Sequence, residues 1–147
     1  MEDARRLFET SGAIRSGHFR FTGENHGDIY ISKELLLSFP AKTQHVTALL
    51  AERCNNLLED SIDVVVAPVD GGIIIGHSVA LHLNRKTFSV FAKKGNDKFW
   101  FPAGFREKLK GKNVLIIDDV LHTGLSITRL VEVTRAAGAN VLGVGVL

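Results

Sequence analysis

Four short segments dominated by apolar residues limit the folds open to this chain: IDVVVA (62–67), TFSVFA (87–92), NVLIID (113–118) and NVLGVGVL (140–147). Each has strand length, and none shows the polar alternation of a strand with one wet face. A strand that is apolar on both sides must be covered on both sides, which is the condition of parallel sheets in α/β proteins. Helical segments lie between them. One opens at Gly71-Gly72 and continues as IIIGHSVALHL, and another follows Gly124. The class that follows is α/β, a mainly parallel sheet flanked by helices. Ligands in such sheets bind outside the carboxyl ends of the strands, so the loops at 68–72, 93–104 and 119–126 are where a site is expected.

The rest of the chain fits one domain. A short opening helix is expected at 3–10, short strands at 18–21 and 29–32, and a helix from Pro40 to Glu59 with Val46, Leu49, Leu50, Leu57 and Leu58 on its apolar side. No repeat or linker interrupts the 147 residues, and 45% hydrophobic with 23% charged residues suits a single globular core. Eighteen basic and sixteen acidic residues leave a net charge of +2, too balanced for a nucleic-acid binder. The start, MEDARRLFET, lacks the apolar stretch of a leader, and no apolar run reaches membrane-spanning length, so a cytoplasmic protein is expected. The single cysteine, Cys54, excludes an intrachain disulfide and reads as a small buried hydrophobe on a helix. His77 and His82 are five apart and do not share a helical face, and His45 reads as a surface or boundary residue, so none of the three points to a metal centre.

VLIIDDVLHTGLSI (114–127) carries the most chemistry. An apolar strand delivers two adjacent carboxylates, Asp118 and Asp119, and His122-Thr123-Gly124-Leu125-Ser126 then turns into a helix. Unpaired N–H groups at a helix start, the helix dipole and two hydroxyls together make an anion cradle. Each hydrogen bond to a charged oxygen is worth roughly 1.5–3 kcal/mol. The adjacent carboxylates repel that anion and instead suit a proton-donating diol or hydrated Mg²⁺. A phosphate beside a diol describes ribose 5-phosphate. A second glycine turn before a helix, APVDGGIIIG (67–76), offers Gly71 and Gly72 to another anion, with Asp70 a poor direct partner for that anion but placed to reach Mg²⁺ through water. FAKKGNDKFWFPAGF (91–105) adds Lys93, Lys94 and Lys98, with Gly95 and Gly104 as hinges of a lid and Phe99, Trp100 and Phe101 packing it down.

The 114–127 segment resembles the phosphoribosyl diphosphate motif of type I phosphoribosyltransferases, in which two acidic residues precede a Thr-Gly phosphate loop. Residues 10–40 resemble the N-terminal hood of the orotate branch, through Gly17-His18-Phe19, Thr22-Gly23, His26-Gly27-Asp28-Ile29-Tyr30 and Lys33. The resemblance spans nearly the whole chain. It implies a type I phosphoribosyltransferase fold, a Rossmann-like sheet with a small hood over 1–40 and a core over 41–147. It also implies Mg²⁺-dependent transfer of ribose 5-phosphate from phosphoribosyl diphosphate to orotate, giving orotidine 5′-phosphate and pyrophosphate. Asp118 and Asp119 would then hold the ribose hydroxyls, with any metal reached through water, and His122, Thr123, Gly124, Leu125 and Ser126 the 5′-phosphate. Lys94 and Lys98 would act on the leaving diphosphate, with Lys93, Asp70, Gly71 and Gly72 beside it. His26, Tyr30 and Lys33 would belong to the base end, and a homodimer is the family's usual state.

The chain differs from the family's pattern at four places. His122 and Leu125 stand where relatives have a threonine and a second glycine, and Pro102-Ala103 precede Gly104 where relatives tend to carry arginine. The sequence also ends at Leu147, before the family's base-binding arginine and closing strand, so a core short at its C-terminus is expected. Two alternatives therefore stay open: a phosphoribosyltransferase for another base, and a non-catalytic regulatory protein that binds phosphoribosyl diphosphate.

Overall fold

The computed structural model describes residues 3–21, 25–96 and 98–147, and the chain divides into two compact units, Met1–Val46 and Thr47–Leu147.

The first unit contains α1 (Ala4–Thr10), β1 (Ile14–Arg20), β2 (His26–Ile31), α2 (Lys33–Leu37) and the start of α3 (Pro40–Leu57). Asp3 caps α1 by accepting the Arg6 N–H at 2.9 Å, which satisfies one of the donors a helix start leaves open. β1 and β2 form an antiparallel pair, and the Ser32 N–H donates to the Ala13 carbonyl at 2.8 Å. Both strands are longer than expected. α2, whose first residue is Lys33, was not anticipated, because KELLL is too short for a helical period to show. The expected turn at Thr22-Gly23 lies outside the described residues.

The second unit carries the sheet: β3 (Val64–Pro68), α4 (Gly72–Leu83), β4 (Phe88–Gly95), β5 (Lys98–Trp100), α5 (Phe105–Leu109), β6 (Asn113–Asp118), α6 (Leu125–Ala136) and β7 (Asn140–Val146). The strand order is β5-β4-β3-β6-β7. β3 lies parallel to β4 and β6, β6 lies parallel to β7, and only β5 runs antiparallel. All five residues of β3 are buried. Val64 and Val66 cluster with Val90, Ala92, Val114, Ile116, Leu109 and Leu130 on the α5–α6 face. Val65 and Ala67 meet α4 on the other face, and Ile117 lies beside Leu50 and Cys54 of α3. Helices on both faces explain the unbroken apolar runs, and each fully buried Ile or Val contributes about 1.5–3 kcal/mol.

Gly76 sets the spacing of α4 on β3, since a Cβ there would come 2.7 Å from the Ala67 Cβ. A buried hydrogen bond of 2.6 Å between Thr47 and Ser78 ties α3 to α4.

The segment expected to serve as a lid contains two paired strands. β4 continues to Gly95, and Lys93, Lys94 and Gly95 pair with Trp100, Phe99 and Lys98. Gly95, expected as one hinge of the lid, is the last residue of β4. Asn96 takes the turn with φ 48°. Phe99 drives this arrangement, because it is 8% exposed and belongs to the sheet's core. Trp100, on the other side of β5, is exposed.

Cys54 is buried, and desolvation pushes its thiol pKa up. Two results follow. Native protein is expected to react with a thiol-specific disulfide reagent far more slowly than denatured protein, timed by absorbance. Above the ordinary thiol range the unfolded chain releases a proton that the folded one keeps, so stability falls as pH rises there.

Candidate active site

Three strand ends converge at the carboxyl edge of the sheet. β3 ends at Pro68 and leads through Val69-Asp70 into Gly71, the N-cap of α4. Pro68 pairs with Ala92, so Lys93 and Lys94 continue β4 just past the end of β3. On the other side β6 ends at Asp118. The glycine turn thus sits between two lysines and two aspartates.

Contacts fix this edge. The Val69 N–H donates to the Ala92 carbonyl at 3.0 Å, pinning the turn to β4, and the Val69–Asp70 peptide is cis. A Cβ on Gly71 would collide with the Asp119 carboxylate, so that carboxylate lies directly against the turn. Gly72 is equally confined, because a Cβ there would meet Pro68 Cδ at 2.7 Å and the Ile117 carbonyl oxygen at 3.2 Å. Asp118 is 8% exposed, and its Oδ1 accepts the Asp119 N–H at 2.8 Å. Asp119 is half-buried. One carboxylate therefore holds the strand end in shape while the other lies against the Gly71 turn.

The turn after the pair is built for an anion. Gly124 adopts φ 77°, and it starts α6 with no side chain hydrogen-bonding at the cap. The Thr123 hydroxyl makes only a long 3.5 Å contact with the Leu125 N–H. The first amides of α6 are thus presented outward, with the positive end of the helix dipole behind them. Thr128, which sequence reasoning passed over, fixes this turn: its hydroxyl donates to the Gly124 carbonyl at 3.0 Å and its N–H to the same oxygen at 2.9 Å. The available signal was a threonine four residues past a glycine that opens a helix.

A model of the Phosphoribosyl transferase domain matches residues 32–147. The chain belongs to the phosphoribosyltransferase family. The orotate phosphoribosyltransferase of Desulforamulus reducens is 35% identical over 141 residues, covering 96% of this chain and 71% of that protein. The enzyme of the same name from Pelotomaculum thermopropionicum is 36% identical over equal shares. Among solved structures, the orotate phosphoribosyltransferase of Aeropyrum pernix superposes with a TM-score of 0.73 at 25% identity, covering 99% of this chain and 80% of that one. The α/β class, the mainly parallel sheet and the reaction class of a phosphoribosyltransferase follow.

Within this phosphoribosyltransferase the expected residues separate into groups. Asp70, Gly71, Gly72, Lys93, Lys94, Asp118 and Asp119 meet at the strand ends, and His122, Thr123, Gly124, Leu125 and Ser126 form the turn that opens α6. Lys94 Nζ lies 5.6 Å from the Phe99 ring centroid, a cation–π contact within the hairpin. Lys98 stands apart, lining an open surface groove of about 490 Å³ with Arg129, Glu132 and Ala136 along α6. His122 is exposed at the mouth of the turn. Leu125 is 55% exposed at the first position of α6, and among the described residues only Asn96 combines a side chain with positive φ. The turn therefore accepts leucine at this position.

His26, Tyr30 and Lys33 belong to the first unit. His26 contacts His18, and Tyr30 lies 5.4 Å from Phe19, ring to ring. Among the described residues no three His, Cys, Asp or Glu side chains gather as a metal site, and no helix is long and apolar enough to cross a membrane.

Proposed function

We propose that the chain transfers ribose 5-phosphate from phosphoribosyl diphosphate to orotate. The observation that carries this reading is the Asp119 carboxylate lying against the Gly71 turn, with the Gly124-capped helix α6 following on the same edge. Two anion-binding turns flanking a carboxylate suit a ribose with phosphates on both sides. The names of the bacterial relatives favour orotate as acceptor.

Asp119, steadied by Asp118, accepts hydrogen bonds from the ribose diol. The amides of Thr123 to Ser126 hold the 5′-phosphate. Lys93, Lys94 and the Gly71 turn receive the departing diphosphate, whose charge grows as the glycosidic bond breaks. Positioning and charge stabilisation carry the barrier reduction, and no side chain needs to act as nucleophile.

Mg²⁺ fits this donor set. It binds through one or two carboxylates plus substrate phosphates and keeps several waters, so it needs no all-protein cage. Asp118, Asp119 and Asp70 are the oxygen donors at hand. When bound, the ion offsets charge on the diphosphate.

The test is pyrophosphate release from phosphoribosyl diphosphate and Mg²⁺, measured with orotate, uracil and purine bases in parallel. Release with orotate alone is the expected result. Release with another base moves the acceptor and points to His122. Calorimetric binding without release from any base would replace the enzyme with a phosphoribosyl-diphosphate sensor.

A further inference from the structure

β1 and β2 pair with Arg20 opposite His26 and Phe19 opposite Gly27, and the ladder shifts register between Ser16 and Phe19. His18 lies in that irregular stretch. Its Nε2 is 2.8 Å from Nδ1 of His26, and the ring centroids are 4.8 Å apart with planes inclined at 44°. Both side chains are exposed.

We propose that His18 and His26 form a two-histidine chelate for a divalent transition-metal ion of tetragonal preference, Cu²⁺ or Ni²⁺. A neutral imidazole offers one in-plane lone pair and is the commonest metal ligand among side chains. Without metal, one of the facing nitrogens donates a proton and the other accepts it. An ion in place of that proton uses both as donors. Two ligands at right angles, each about 2.0 Å from the ion, lie about 2.8 Å apart, whereas a tetrahedral angle spreads them to about 3.3 Å. The separation in the hairpin is close to the right-angled case, so turning the hydrogen bond into a chelate asks for rotation of the two exposed rings, to bring both lone pairs onto one ion, rather than for separation of the strands.

The strand pairing supplies the remaining advantage. Once one histidine binds, the second is held at high effective concentration, which is worth about 10²-fold or more in affinity. Among the described residues these two imidazoles are not joined by a third His, Cys, Asp or Glu. That suits an exchangeable tetragonal site rather than a closed four-ligand zinc site. Mg²⁺, which prefers oxygen ligands, has no claim on it. The ion would tie β1 to β2 across the irregular stretch.

The whole chain is titrated with Cu²⁺, Ni²⁺, Zn²⁺ and Mg²⁺ by calorimetry in a non-chelating buffer, and one equivalent of Cu²⁺ is examined by electron paramagnetic resonance. The expected result is one Cu²⁺ site with two coordinated nitrogens, weaker Ni²⁺ and Zn²⁺, and no Mg²⁺ binding. His18→Gln and His26→Gln should each weaken Cu²⁺ binding about 10²-fold, with unfolding midpoints in EDTA unchanged. Footprinting with a histidine-acylating reagent reads the site without any variant: Cu²⁺ should protect His18 and His26 and leave exposed His77 and His82 reactive. Unchanged isotherms in both variants, a one-nitrogen spectrum, Zn²⁺ binding tighter than Cu²⁺, or protection elsewhere would each overturn the assignment.

Discussion

Asp119→Asn is expected to lower kcat/KM for phosphoribosyl transfer by about 10²-fold while moving the unfolding midpoint little. The side chain is half-buried at a strand end, so an isosteric amide disturbs the packing only slightly. It does remove the charge that strengthens hydrogen bonds from the ribose diol. Charge-assisted bonds are about twice as strong as neutral ones, so two weakened bonds cost roughly 3 kcal/mol, or about 10²-fold. Asp118→Ala should behave differently. It strips the acceptor from the Asp119 N–H at a position only 8% exposed, so it should lose about 1–3 kcal/mol of stability as well as activity. Denaturant unfolding and steady-state kinetics on the two variants separate these effects. Full activity in Asp119→Asn would remove that carboxylate from the transfer step.

Gly71→Ala is the second large effect, about 10–10²-fold in kcat/KM, again with the fold retained. Gly71 has φ −63° and ψ −34°, a backbone that alanine adopts freely. The added methyl meets only the end of the Asp119 side chain. Relief is easy, because the carboxylate swings away, but that removes it from its place beside the turn. The neighbouring Gly72→Ala supplies the contrast. Its methyl meets the Pro68 ring and the backbone oxygen of Ile117, which cannot swing, so about 1–3 kcal/mol of stability should go with it. Circular dichroism melts alongside activity distinguish a displaced carboxylate from a strained core. Equal melts for both variants would contradict the close approach at Gly72.

The core of the fold was legible because its strands are buried on both faces. NVLIID reads as a strand over 113–118, and β6 occupies Asn113–Asp118. Periodicity also located α4 and α6, since each follows a glycine that opens it. Legibility failed where the deciding contact is tertiary. In KKGNDKFWF the aromatics were expected to pack the segment down, and Phe99 and Phe101 do so while Trp100 is exposed, but the strand pairing they accompany was not legible. The two loops were expected at one edge of the sheet, but the direct approach of the Asp119 carboxylate to Gly71 was not legible, as nothing in two segments nearly fifty residues apart declares that their strands are neighbours. Thr128 was missed because a threonine inside a helix looks ordinary until its hydroxyl is seen on the Gly124 carbonyl. The pairing of His18 with His26 depends on a register shift that alternation cannot predict.

The order β5-β4-β3-β6-β7 has a thermodynamic consequence for any ligand at this edge. From β3 the chain builds outward through β4 to β5, then crosses back to β6 and builds outward the other way to β7. β3 and β6 are thus the seam between two halves assembled in opposite directions, joined along Val64–Val114, Val65–Leu115 and Val66–Ile116. A ligand gripping the Gly71 turn and the Gly124 turn together spans that seam. Opening the halves from one another then requires releasing the ligand, which adds RT ln(1 + [L]/Kd) to the cost of separation. Amide exchange in β3 and β6 should therefore slow together on ligand binding, although the two strands belong to different stretches of the chain.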